Sequence, residues 1–176
     1  MRAASAVPSR TRAPHVALWW QIARRSFLRT STYRAATAAG VFTNTVFGFL
    51  RVYVLLAVID ARPGLAGYDA ADIATYTFVT QGLLATVYSF GADEIAERVR
   101  TGEIVGDLYR PVDFHGYWFA TDVGRFGFQL LFRGIPPVLL GSLVFDLALP
   151  NDASTWVAFL LSVCLALAVS FGVRYL

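Results

Sequence analysis

Residues 153–173 carry no charged side chain, and that continuous apolar run limits the fold more than any other feature of the chain. A hydrocarbon core about 30 Å thick is crossed by about 20 helical residues, so the run is long enough to span. Trp156 near its start, and Arg174 and Tyr175 at its end, are residue types that settle at membrane interfaces. Comparable blocks occur at 35–59, 73–90 and 128–149. The chain is 56% hydrophobic and 15% charged, whereas a soluble domain has about 45–50% apolar residues and about a quarter charged. The surplus sits in unbroken blocks and not in alternating strands of about ten residues, which excludes a transmembrane barrel. The expected fold class is all-α integral membrane, with about four transmembrane helices.

All 15 basic residues are arginine, and there is no lysine. A P-loop needs a lysine to reach nucleotide phosphates, and Schiff-base chemistry needs a lysine amine, so both are excluded. The pI near 9.3 does not imply nucleic acid, because the arginines gather at the ends of apolar blocks. Seven precede the first block and three lie in the central segment 92–113, against Arg62 alone in the two opposite loops. By the positive-inside rule the N-terminus, the central segment and the C-terminus are cytosolic, the orientation of a multi-pass bacterial plasma-membrane protein. His15 and His115 are isolated, and Cys164, the one cysteine, reads as a small packing residue. No metal spacing or nucleophile elbow is present. An intramembrane enzyme therefore lacks its side chains, and Asp122 falls close to the cytosolic end of its hydrophobic stretch, unlike the mid-membrane carboxylates of ion-coupled carriers.

Taken in order, 1–15 is a disordered cytosolic tail and 16–176 a transmembrane domain. In 16–34, Val16, Trp19, Trp20, Ala23 and Phe27 share one helical face and Gln21, Arg25 and Arg29 the other, the pattern of an N-terminal interfacial helix. In the first span Gly40, Asn44, Gly48 and Arg51 follow at spacings of four, four and three and make one small, polar stripe. An arginine at the centre of a span costs about 3 kcal/mol. Arg51 therefore either faces a pathway or dimer contact or snorkels to the outer headgroups. Asp72 is placed to cap the second span, whose threonines can bond back to their own helix.

In the third apolar block Asp122, Arg125, Gln129 and Arg133 recur at three, four and four. That face lines a cavity, or Asp122 and Arg125 pair at the cytosolic interface. Gly134 and Pro136-Pro137 should interrupt this helix before a span ending near Leu149. Asn44, Gly48, Arg51, Arg125, Gln129 and Arg133 are the pathway or dimer-contact candidates.

The polar segment 92–113 lies between the second and third spans. Ile95 and Val99 share a face, Glu94 and Arg98 are an i,i+4 pair, Gly102 is a helix stop, and Ile104 and Leu108 mark a second short amphipathic element. The runs Val99-Arg100-Thr101-Gly102-Glu103 and Leu108-Tyr109-Arg110-Pro111 resemble the Ile-Arg-x-Gly-Glu and Leu-Arg-Pro-like elements of ABC-2-type export permeases. Val99 and the inserted Tyr109 are the departures. The resemblance implies that this cytosolic segment couples to a separate ABC ATPase subunit. Glu94, Glu97, Arg98, Glu103 and Arg110 would set its orientation, Ile95, Val99, Ile104 and Leu108 its apolar contact, and Gly102 and Pro111 its turns. ATP and magnesium would be bound by that partner and none by this chain, and a second copy or a homologous permease would complete the pathway. Such permeases generally have six spans, so the chain corresponds to the first two-thirds and is expected to be incomplete at its C-terminus. The alternatives are a non-transporting membrane scaffold or assembly subunit, or a truncated, non-functional permease fragment.

Overall fold

The computed structural model describes residues 15–61, 67–87 and 94–174. The tail, the Arg62-Pro63-Gly64 loop and the last residues of the expected second span lie outside them. All regular structure among the described residues is helical: α1 (His15–Thr30), α2 (Arg34–Ala61), α3 (Ala70–Val87), α4 (Glu94–Thr101), α5 (Ile104–Leu108), α6 (Phe114–Gln129), a π-helical turn (Leu130–Gly134), α7 (Ile135–Ser142) and α8 (Ala153–Arg174). Two of these, Arg34–Ala61 and Ala153–Val173, are long and apolar enough to cross a membrane. Only 17% and 6% of their apolar stretches are buried. The central helix of a water-soluble protein would be mostly covered, so this surface is made for lipid or for other helices.

The packed centre lies where α2, α3 and α7 meet. Phe78 of α3 is wholly buried among Val52 and Ala74, with Phe49, Leu56, Val138, Phe145 and Leu147 closing around it. Its ring stands edge-on to Phe49 at 5.2 Å and tilted to Phe145 at 6.1 Å. Gly48 and Gly141 lie against the two sides of that ring, so close that a methyl group would sit 2.8 and 2.5 Å from its carbons. Helices in lipid gain little from hydrophobic exclusion and associate by close packing at small residues, which is how this ring holds three helices.

α1 packs along α6. Ser26 Oγ donates to the Thr121 carbonyl at 2.6 Å, Phe27 meets Phe128 edge-on at 5.4 Å, and a Cβ on Gly124 would stand 2.0 Å from the Ala23 carbonyl. No residue but glycine allows that approach. The stripe turned inward is Trp19, Ala23, Ser26 and Phe27, whereas Val16 and Trp20 are exposed. The expected five-residue face is therefore split: its middle is covered by α6 and its edge is left open.

The third apolar block departs from expectation. Neither Gly134 nor Pro136-Pro137 breaks the helix, which continues from Phe114 to Ser142. The π-helical turn is the reason. The Ile135 N–H reaches back five residues to the Leu130 carbonyl, and the prolines then occupy the first positions of α7, where a missing N–H costs little. The helix also ends at Ser142 and not near Leu149. Beyond it the chain turns on the Gly141 carbonyl and folds back over α3, where the Ala148 N–H donates to Thr75 Oγ1 at 2.7 Å.

Two smaller expectations change as well. Asp69, not Asp72, caps α3: Asp69 Oδ1 accepts from the Asp72 N–H at 2.8 Å while Asp72 Oδ2 accepts from the Asp69 N–H at 3.2 Å. This is a reciprocal capping box with aspartate in both places. Cys164 is exposed on α8 and fills no packed site. Thr75 and Thr80 of α3 behave as anticipated, donating to carbonyls one turn back at 2.7 and 2.6 Å, whereas Thr77 Oγ1 is buried without a hydrogen-bond partner among the described residues.

Phe78→Ala removes the ring shared by three helices and should cost about 3 kcal/mol, seen as a lower unfolding midpoint of the detergent-solubilised protein. A variant as stable as the native chain would show that the ring is not the packing centre. Asp152 offers a second test. Its carboxylate accepts from the Ser154 and Thr155 hydroxyls and from the Thr155 N–H, and the Ser154 bond, then those of Thr155, lowers its pKa from the ordinary 3.8 to about 2. A lowered folded-state value means stabilisation that is complete above pH 4 and lost as pH falls through 2. Amide exchange in the first turn of α8 should accelerate across that window, and Asp152→Asn should flatten the dependence.

Candidate functional site

Residues 94–108 form two short helices set at an angle by Gly102. Its φ of +78° is left-handed backbone that side chains resist, and its N–H returns to the Val99 carbonyl at 3.3 Å. This turn brings α5 back against the side of α4. At the junction lies Asp107, whose side chain is 3% exposed. Arg98 Nη1 from α4 and Arg110 Nη2 each approach it to 3.1 Å, one on each carboxylate oxygen. Arg98 also stands 3.9 Å from both Glu94 and Glu103.

The same two arginines tie the segment to α6. The guanidinium carbon of Arg98 is 5.6 Å from the Trp118 ring centre, and that of Arg110 is 4.7 Å from the Tyr117 ring centre. Both distances suit cation–π attraction. Asp113 begins α6 by accepting the Gly116 N–H at 2.5 Å. Arg29 of α1 reaches Glu94 at 3.5 Å, although both partners are well exposed, so this ion pair adds little.

The candidates thus fall into groups. Arg98 and Arg110 hold Asp107, Glu94 and Glu103 lie beside Arg98, and Glu97 pairs with Arg100 at 2.7 Å on the open side. Ile95 and Ile104 are half-buried within the segment, while Val99 and Leu108 face outward at 59% and 65% exposure. Gly102 and Pro111 occupy turns and are exposed. Asp107, Tyr117 and Trp118 were not among the candidates. The three-residue spacing of Asp107 and Arg110 on a helical turn was a usable signal for the first. Nothing local points to the two rings, because their partners come from another helix.

The membrane-type candidates separate also. Gly48 is enclosed beside Phe78. Arg125 pairs with buried Asp122 at 2.5 Å. Arg133 lies against Gly40 of α2 and donates to Gln129 Oε1 at 3.4 Å, while its Nε and the Asn44 Nδ2 are buried donors without an acceptor among the described residues. Arg51 stands further along α2, with Nη1 3.4 Å from Gln81 Oε1.

Asp107→Ala should loosen α4 and α5 together. Deleting one member of a buried pair costs about 3–5 kcal/mol, but Arg110 is 41% exposed and Arg98 26%, so about 2 kcal/mol is expected after solvent takes up the freed charge. Faster proteolysis within 94–111, with α8 unaffected, would report it. Unchanged protection would mean that the carboxylate does not hold the segment.

Comparison with known proteins bears on this arrangement. No curated protein and no solved structure matches the chain. The sequence model of one family, described as ABC-2 family transporter protein, matches residues 42–176. That stretch runs from the first turns of α2 through the Asp107 junction to the end of α8, well over half of the whole. The chain belongs to the ABC-2 family of transporter proteins.

Proposed function

We propose that this chain is the membrane-spanning permease subunit of an ATP-driven exporter and that α4 and α5 dock a separate ATPase subunit. The observation that carries the reading is the outer surface of this element. Val99, Val105, Leu108 and Tyr109 are 59%, 52%, 65% and 85% exposed on a segment whose charges are otherwise turned toward one another. Exposed apolar side chains beside a charged rim are the composition of a protein interface. Internal pairing to Asp107 leaves them little freedom to retract.

In this reading α2, α3, the continuous helix through α6 and α7, and α8 are the four spans, with α1 along the cytosolic interface. The arginine distribution supports a cytosolic side for α4 and α5. ATP and magnesium are bound and turned over by the partner, whose motion reaches the membrane through α6. A second permease copy supplies the other half of the pathway, and the exposed apolar surface of α2 and α8 gives it room to bind.

Leu108→Asp combined with Tyr109→Asp introduces two desolvated charges into such an interface. Co-purification of the adjacent-gene ATPase in mild detergent should fall about tenfold or more, with insertion of the chain into membranes unchanged. An ATPase that co-purifies equally well with the variant would remove α4 and α5 from the docking role. A native chain that co-purifies with no ATPase at all would favour a scaffold subunit.

A further inference from the structure

Between α2 and α3 lies a groove of about 490 Å³ whose polar lining is Arg51 and Gln81 and whose apolar lining includes Phe47, Leu50, Val54 and Leu84. These four apolar residues are 57%, 56%, 64% and 52% exposed, so the groove opens sideways, toward whatever surrounds the two helices. Its volume is that of a small-molecule site. Arg51 lies ten residues before the Ala61 end of α2, about 15 Å along the helix axis. With α2 in a bilayer, that depth is hydrocarbon and not headgroup.

The charge balance of the groove is incomplete. Arg29, Arg98, Arg100, Arg110 and Arg125 each have a carboxylate within 4 Å. Arg51 has none among the described residues, and its one polar neighbour is the neutral Gln81 amide at 3.4 Å. The amide oxygen faces the guanidinium, which leaves both side chains with N–H groups to donate and no acceptor to complement them. A full positive charge among apolar walls calls for an anion with paired oxygens, since the guanidinium fork binds such groups with two parallel bonds. The walls call for an alkyl body.

We infer that this groove binds an anionic amphiphile, with a phosphate or carboxylate head on Arg51 and Gln81 and an aliphatic chain along Phe47, Leu50, Val54 and Leu84. The ligand enters laterally from the bilayer. The inference rests on α2 crossing a membrane and is independent of ATPase docking by α4 and α5.

The test uses the full chain in nanodiscs of phosphatidylcholine, with tetradecyl phosphate as probe and tetradecanol as its neutral counterpart, each corrected for uptake by empty discs. The native chain should bind the phosphate in excess of empty discs and the alcohol not at all. Arg51→Gln should weaken phosphate binding about tenfold or more, and Arg51→Lys, which keeps the charge, should stay within about threefold of native. Recovery by lysine separates a charge-binding role from a merely structural one. Equal binding to the glutamine variant, or equal binding of the alcohol, would overturn the site while leaving the membrane reading intact. A native chain that does not enter the discs would overturn both. Replacing part of the lipid with phosphatidylglycerol assigns the source. Loss of the probe identifies a bilayer lipid as the occupant, and retention identifies a free amphiphile; either upholds the anionic site.

Discussion

The Phe78 ring is the contact through which the membrane-type helices know their positions. It is flanked by Gly48 of α2 and Gly141 of α7 at distances no larger side chain could share, and capped by Phe49 and Phe145. In water, a core of this size would be too small to hold a chain of 176 residues. In lipid the balance differs. Each helix already satisfies its own backbone, so packing has only to choose one arrangement among helices that exist independently. A few close contacts suffice: the glycines around Phe78, the approach of α3 to the π-helical turn at Gly82, and the nesting of Ala23 on Gly124.

Outside that region the chain relies on charge instead of packing, and Asp107 organises it. A carboxylate this well buried is costly unless its oxygens are satisfied, and two arginines satisfy it from opposite sides. The arginines are then positioned to cover aromatic faces of α6. Arg98 and Arg110 are thereby turned toward Asp107, and Val99, Val105, Leu108 and Tyr109 are left outside. The proposed docking role of the segment rests on that pattern.

Much of this was legible in the residues, and the failures have physical causes. Continuous apolar runs located α2 and α8, and Gly102 announced its own left-handed turn. Glu94 and Arg98, and Asp122 and Arg125, were paired correctly because helical spacing puts them together. The prolines misled, since a proline breaks an α-helix only when the preceding turn keeps its four-residue register. The turn at Leu130–Gly134 shifts to five. The clustering of Arg98, Asp107, Arg110, Tyr117 and Trp118 depends on how α5 folds back on α4 and how both meet α6. No periodicity within one helix encodes that.

The π-helical turn acquires meaning from its place along this path. α6 is joined at one end to α4 and α5 through Arg98, Arg110, Trp118 and Tyr117, and flanked by α1 along its length. At the other end it passes through Leu130–Gly134 into α7, which belongs to the Phe78 core. On the proposed docking of α4 and α5, a load applied to Val99, Leu108 and Tyr109 would run along α6 to a point where the hydrogen-bond register is already irregular. An α-helix resists bending because each turn is closed by its own bonds, whereas a five-residue register is wider and more readily converted. Arg133 sits in that turn, against Gly40 of α2, with a buried Nε that has no acceptor among the described residues. The stored cost of that unpaired donor lowers the work needed to leave this arrangement. Rigid attachment at the surface and an imperfect turn within the bundle together place any bend between α6 and α7, beside α2 and α3.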